Sequence, residues 1–322
     1  MNRNIKKTAL ILGIAGQDGS FLARFLLSKN YSVFGTTRKK ISLDQPNLRS
    51  LNIQKKVNLL SVELINYESV LELILKTSPD EIYCLAAQSS VSHSFQKPRA
   101  TLESIIISTI NVLEAVKKSN KEIKVYFAGS SECFGDTGIE PATENTPLNP
   151  CSPYGIAKSS AHLLTKNYKE NYNIFACTGF LFNHESSLRP ENFVTQKIIR
   201  SCVRISKGSQ EKLELGNLSI IRDWGWAPEY VEAMWLMLQR PYPEDFIIAT
   251  GQSNSLQSFV ETSFNYFGLH WRDHILINKE FFRETDILVS RANPEKARKV
   301  LDWQPKKKIE DVIRGMIEHR MD

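Results

Sequence analysis

A glycine triplet near the start of the chain limits its possible folds more than any other feature. Gly13-Ile14-Ala15-Gly16-Gln17-Asp18-Gly19 follows the apolar run Ala9–Leu12. It precedes Ser20–Ser28, where Phe21, Leu22, Phe25 and Leu26 recur at helical spacing. A buried strand, a glycine turn and a helix, in that order, let backbone approach a pyrophosphate at a helix N-terminus, where N–H groups and the helix dipole favour anions. The spacing is G-x-x-G-x-x-G, not the commoner G-x-G-x-x-G, and turns use glycine in any case. It is the strand–turn–helix setting that points to a dinucleotide.

The next stretch repeats the pattern. Tyr31–Gly35, Val57–Val62, Glu81–Leu85 and Lys124–Ala128 read as strands; Val70–Lys76 and Thr101–Ser119 read as helices. This alternation predicts an α/β fold with a parallel sheet covered on both faces, whose ligands sit in the loops after the strands. The second half is richer in Trp, Arg and Pro. There Asn183–Pro190 and Gly216–Pro228 read as ordered polar loops, and Asp302-Trp-Gln-Pro introduces a terminal amphipathic helix. No linker-like tract separates the halves, so residues 1–180 and 181–322 are expected to be two interleaved domains.

Two strand ends carry chemical information. The second ends in Thr36-Thr37-Arg38-Lys39-Lys40, cationic where an NAD site would place an acid for the ribose 2′-hydroxyl. This favours the 2′-phosphate of NADP, with a solvated charge run as the alternative. After the fifth strand come Gly129-Ser130-Ser131-Glu132, and then Tyr154-Gly-Ile-Ala-Lys158. Four residues apart on a helix, Tyr154 and Lys158 share a face, and a nearby cation favours the phenolate. Y-x-x-x-K alone occurs by chance in many helices. About 140 residues after the glycine turn, it becomes specific.

Composition excludes several classes. At 42% hydrophobic and 24% charged, the chain can bury a sizeable core. The five cysteines are scattered without a C-x-x-C, which argues for reduced thiols and against a disulfide framework or zinc site. His270 and His274 could be drawn as a metal pair, but no acid stands in register, so no metal is expected. No apolar run reaches the ~20 residues needed to span a bilayer. The short apolar start runs into the glycine turn instead of a cleavage site. A cytoplasmic protein is expected, with no membrane partner. The net charge of +6 has no basic–aromatic stripe behind it, so nucleic acid is not expected either.

With these residues in place, the chain resembles the extended short-chain dehydrogenases/reductases, in which a hydroxyl at the place of Ser130 binds the substrate oxygen beside the tyrosine. Glu132 narrows the choice. Epimerases and simple reductases do not need a carboxylate there, whereas a 4,6-dehydratase must remove a C5 proton and expel the C6 hydroxyl. Leu181-Phe-Asn-His-Glu-Ser186, Phe193-Val-Thr, Leu215-Gly-Asn217, Arg222-Asp-Trp-Gly225, Glu244-Asp-Phe, Ala249-Thr-Gly251, Phe281-Phe-Arg283 and Leu301-Asp-Trp-Gln-Pro305 are similar to the GDP-mannose 4,6-dehydratase family over nearly the whole chain.

The resemblance implies a Rossmann-type doubly wound sheet with a smaller interleaved α/β substrate domain, segments near 224–252 returning to the first domain. It implies NADP as cofactor, a GDP-sugar as substrate, and a homo-oligomer, dimer or tetramer. Ser130, Glu132, Tyr154 and Lys158 would be catalytic. Gly13, Ile14, Ala15, Gly16, Gln17, Asp18 and Gly19 would wrap the pyrophosphate and Arg38 would meet the 2′-phosphate. Glu63 and Leu64 would lie beside the adenine. Leu85, Ala86, Ala87, Gln88 and Ser89 would run along ribose and nicotinamide, with Lys158, His184 and Arg189 as further cofactor contacts. Asn183, Thr195, Lys197, Gly216, Asn217, Arg222 and Arg283 would hold the GDP-sugar. The chain departs from the family at Ser130, usually Thr, and at Ala100, Leu188, Pro190, Trp226 and Pro228. A GDP-heptose dehydratase, a GDP- or CDP-sugar reductase or epimerase, and a non-catalytic nucleotide-binding protein remain as alternatives.

Overall fold

Strand β1 (Thr8–Leu12) lies at the centre of a seven-stranded sheet. A computed structural model gives the structure and describes residues 6–38, 45–282 and 286–321. β1 pairs in parallel with β2 (Ser32–Thr37) on one side and β4 (Glu81–Cys84) on the other. β3 (Asn58–Ser61) continues beyond β2, and β5 (Lys124–Ala128) and β6 (Ala176–Leu181) continue beyond β4, all parallel. Three short strands follow in the chain: β7 (Asn183–Glu185), β8 (Leu213–Leu215) and β9 (Ile221–Trp226). β10 (Phe246–Ile248) completes the large sheet, in the order β10-β6-β5-β4-β1-β2-β3. The winding order reverses between β1 and β4, the doubly wound arrangement that leaves ligand sites at the carboxyl ends of the strands.

The chain divides into two compact units. The first comprises Met1–Cys133, Ser152–Phe180 and Val231–Phe246. One of its cores packs Leu10, Leu12, Ile82, Val125, Phe127 and Ala176 of the strands against Val70, Ile74, Val112, Val116 and Tyr168 of the helices. Alternate strand residues supply this face, as a period of two requires. The second unit comprises Phe134–Cys151, Leu181–Tyr230 and Ile247–Asp322. Its core gathers Ile198, Ile199 and Cys202, Phe259 and Val260, and Val312, Ile313 and Met316, from three separate helices. Trp303, from the Asp302-Trp-Gln-Pro segment, donates its indole N–H to the Glu229 carbonyl at 3.1 Å.

Several sequence expectations are revised. The two stretches read as polar loops contain β7 and β9, which pair in parallel with Asn183 opposite Trp224. β7 has only three residues and β9 carries Arg222 and Asp223 in its run, so neither shows a continuous apolar stretch, and both exist because tertiary pairing satisfies them. The expected 101–119 helix is a helix from Pro98, a π-helical turn over Glu103–Ile107, and a helix over Ser108–Lys118. Two departures from the family pattern have local explanations. Pro228 lies in the first turn of helix Ala227–Gln239, where its missing N–H costs nothing. The Trp226 ring packs so closely on Gly315 that a Cβ there would stand 2.9 Å from it.

The amino ends of β1 and β4 are tied by one buried carboxylate. Glu81, 1% exposed, accepts from the hydroxyls of Tyr31 (3.0 Å) and Tyr83 (2.8 Å), from the Lys7 ammonium (3.0 Å) and from the Gln239 amide (3.2 Å). Removing it strands two phenols in a closed core. Glu81→Ala should therefore lower unfolding free energy by about 3 kcal/mol, measured by denaturant titration.

Candidate active site

The glycine turn has a backbone that side chains cannot replace. Gly13 adopts φ +90°, and a Cβ there would lie 2.8 Å from the Ala86 backbone. A Cβ on Gly19 would stand 2.3 Å from the Gly13 carbonyl oxygen. The turn is thus folded onto its own helix and against the end of β4. The helix Gln17–Ser28 starts at Gly16 without a side-chain cap, a start that an anionic ligand can complete. The loop after β4 runs alongside, the Leu85 N–H donating to the Leu12 carbonyl at 3.0 Å. Leu64, Ala86, Ala87, Ser108, Thr109 and Lys158 line one cavity there, with Cys84 and Ala128. The Asn111 amide holds the Leu64 carbonyl at 2.9 Å. Gln88 and Ser89 follow Ala87, Gln88 bonded to Ser90 and Thr101, and Ser89 is exposed. Arg38 is exposed at the end of β2, and Glu63 is exposed after β3.

These residues fit a dinucleotide: a turn that excludes a Cβ at Gly13 and Gly19 beside an uncapped helix start, a slot of small residues next to it, and a cation at the neighbouring strand end.

The four candidate catalytic residues belong to the same unit and are linked through the end of β5 and the start of helix Pro153–Tyr172. Ser130 is buried, and its Oγ accepts from the Glu132 N–H at 3.2 Å. The half-buried Glu132 carboxylate accepts from the Ser152 hydroxyl at 3.3 Å. Tyr154, 8% exposed, packs with Ile105, Ala157 and Ala161. The Lys158 ammonium donates to the Ala128 carbonyl at 2.8 Å and lies 5.8 Å from the centre of the Tyr154 ring. Burial pushes the Lys158 amine down to about 8, partly offset by the charge of Asp18. Below that pH it is a cation close enough to favour a phenolate. Cys133, set aside on the sequence as a nucleophile, is buried and its thiol is pushed up to about 11 by that burial, which keeps it protonated and inert.

The second unit holds the other candidates. His184, on β7, bonds through Nδ1 to the Phe182 carbonyl at 2.7 Å and stacks on Tyr230 with centroids 4.7 Å apart. Asn183 precedes it on β7. Arg189 lies with its guanidinium 3.7 Å from the Phe193 ring centre and 3.3 Å from the Glu185 carboxylate. The same carboxylate oxygen accepts from the Thr195 hydroxyl at 2.8 Å. Glu185, absent from the sequence-based set although inside the Phe-Asn-His-Glu-Ser motif, therefore joins a proposed cofactor residue to a proposed substrate residue. Nothing but its place in that motif marked it. Lys197 donates to the Glu214 carbonyl at 2.7 Å and lies over the Phe281 ring, and the Phe281 backbone approaches Gly216 closely. Asn217 follows, its side chain turned onto Ser219, and Arg222 lies half-buried on β9. Arg283, like Lys39 and Lys40, lies outside the described residues.

Among the described residues no three His, Cys, Asp or Glu side chains are grouped to hold a metal, and no helix is long and apolar enough to cross a membrane. His274 stacks on Phe264, and His270 lies 3.6 Å from Asp273, an acid that the sequence pattern did not place.

Together, the doubly wound sheet, the glycine turn and the tyrosine–lysine helix define a nucleotide-binding enzyme fold of the short-chain dehydrogenase/reductase type. The fold is similar to a dTDP-glucose 4,6-dehydratase of Streptomyces venezuelae solved with NAD (TM-score 0.86, 18% identity, 98% of this chain and 97% of that one). It is as similar to a UDP-glucose 4-epimerase of Thermotoga maritima (TM-score 0.86, 21% identity, 98% of both). Sequence is more specific. The family model described as GDP-mannose 4,6 dehydratase matches residues 10–316. GDP-mannose 4,6 dehydratase 1 of Arabidopsis thaliana is 43% identical over 98% of this chain and 90% of its own length. The human enzyme of that name is 39% identical, over 97% and 91%. The chain belongs to the GDP-mannose 4,6-dehydratase family.

Two outcomes test the site. Gly19→Ala should weaken binding of a reduced nicotinamide dinucleotide by about 10-fold or more, read by fluorescence titration, because the turn must open to admit the methyl. Lys158→Met should lower kcat at neutral pH by about 100-fold and move the acidic limb of its pH profile upward, because the phenolate loses its cation. An unshifted profile would remove Lys158 from the electrostatics.

Proposed function

We propose that this chain is an NADP-dependent hydro-lyase that converts GDP-mannose to GDP-4-keto-6-deoxymannose. Its membership of the family supports the reaction class and the GDP-sugar. The observation that carries the reading is Glu132: a carboxylate two residues past Ser130, hydrogen-bonded to the residue that starts the Tyr154 helix. Arg38, with no acid at the end of β2, supports NADP over NAD.

The 85–89 loop would hold a nicotinamide, which would supply a reversible hydride acceptor for the C4 and C6 steps with none consumed overall. The protein manages the protons. Tyr154, as phenolate beside the Lys158 cation, takes the proton of the C4 hydroxyl while Ser130 bonds the same oxygen. The resulting 4-keto group acidifies C5–H. Glu132 takes that proton and serves as the acid for the departing C6 hydroxyl, which leaves as water. Return of a proton to C5, balanced by the one Tyr154 took from the C4 hydroxyl, completes the 4-keto-6-deoxy sugar and restores the phenolate. His184 and Arg189 assist in holding the cofactor. Asn183, Thr195, Lys197, Gly216, Asn217, Arg222 and Arg283 hold the GDP-sugar, their cations suited to a diphosphate. The enzyme is read as a cytoplasmic homo-oligomer, dimer or tetramer.

The deciding experiment incubates the protein with GDP-mannose, GDP-heptose and other GDP-sugars and follows product mass. The expected result is loss of one water from GDP-mannose without added NADPH. Stoichiometric NADPH consumption would indicate a reductase, and an unchanged mass with inverted stereochemistry an epimerase. Glu132→Gln should abolish water loss while GDP-mannose affinity, read calorimetrically, stays within about 3-fold.

A further inference from the structure

We propose that Ser152 is a positioning residue for Glu132, aiming the proton-moving carboxylate with the same hydroxyl that caps the helix carrying Tyr154 and Lys158. The proposal rests on the role proposed for Glu132 and adds a residue that neither motif nor spacing assigned. Ser152 is 4% exposed and precedes Pro153, which forces it out of helical conformation; it sits at φ −136°, ψ 155°. In that extended conformation its Oγ accepts from the Gly155 N–H at 3.0 Å, which is the helix cap. A serine hydroxyl has one proton, and here it goes to Glu132 Oε2 at 3.3 Å. The Glu132 backbone is held on the opposite side, its N–H donating to Ser130 Oγ at 3.2 Å.

A continuous path therefore joins Ser130, Glu132, Ser152 and the first turn of the Tyr154 helix, so that the proton-moving groups on the strand end and on the helix keep one spacing. The cap alone does not need serine, because Asp and Asn cap as well. Donating to a carboxylate while accepting the Gly155 N–H does need a neutral hydroxyl, since an ionised Asp has no proton to give. A hydrogen bond donated to the charged form of a carboxylate also favours that form. The titratable groups around Glu132 on these elements are Cys133 on the same turn and Tyr154 and Lys158 on the helix, and a substitution at Ser152 leaves all three in place.

The test separates cap from aim. Ser152→Asp keeps the cap, so its melting temperature should stay close to that of the parent. Its kcat for GDP-mannose should fall about 10-fold or more with KM unchanged, and the acidic limb of its pH profile should move up. Ser152→Ala should lose the cap as well as the rate, and Ser152→Thr should recover most of the rate lost in the alanine variant. With substrate deuterated at C5, the kinetic isotope effect on kcat should be larger in the Asp and Ala variants than in the parent, because the C5 step has become limiting. A loss of stability alone would not move that ratio, so the alanine variant decides the matter if the aspartate variant does not fold. Unchanged isotope effects and an unshifted pH profile would overturn the proposal. If Glu132→Gln turns over normally, the reading of Glu132 falls instead. If it is dead while both Ser152 variants keep the parent isotope effect, only the role of Ser152 falls.

Discussion

An ammonium group buried at the end of a strand sets the terms for the rest of this structure. Lys158 is nearly closed off from solvent, and its ammonium gives a hydrogen bond to the carbonyl of Ala128, the last residue of β5. A buried cation is tolerated only where acceptors and ion partners offset its desolvation. Here the partial offset leaves an amine that is still a cation at neutral pH yet close to losing its charge. The bond fixes the rotation of the helix Pro153–Tyr172 against β5, and with it the side of the helix on which Tyr154 emerges. Ser130 and Glu132 extend from that same strand end. Phenol, cation, hydroxyl and carboxylate are therefore positioned by one strand–helix junction.

The cofactor side depends on close backbone approach. Gly13 packs against Ala86 and Gly19 against the Gly13 carbonyl, so the turn, the first helix and the end of β4 form a unit with no room for a single methyl group. Its rigidity suits a ligand held mainly by backbone, and the small residues Ala86 and Ala87 keep the neighbouring slot open. Different constraints apply in the second unit, where Glu185 is shared between Arg189 and Thr195 and a ring stack orients His184. There the candidate side chains are held in place by other side chains.

The fold does not choose the reaction. Chains of closely similar architecture carry the names of epimerases and dehydratases at about one-fifth identity to this one. The distinction lies in a few side chains on the shared frame. Once C4 is oxidised, a carboxylate near C5 and C6 turns the next step from a rotation and hydride return into an elimination.

The sequence by itself determined the sheet and the turn, and it marked the candidate catalytic set. Buried parallel strands are continuous apolar runs, Gly13 and Gly19 stand where only glycine fits, and the Ser130, Glu132, Tyr154 and Lys158 pattern is local enough to be legible. Tertiary structure alone decided the remainder. β7 is only three residues long and β9 carries Arg222 and Asp223 in its run, so neither declares itself, and both exist by pairing, β9 also with Ser253–Ser255. The π-helical turn beside Tyr154 has no signature in Glu103-Ser-Ile-Ile-Ile107. Glu185 and Ser152 look like any acid or serine in their motifs until their partners, ten and twenty residues away, come within hydrogen-bond distance. A residue that acts by holding another is defined by a distance across the fold, and a linear pattern does not contain that distance.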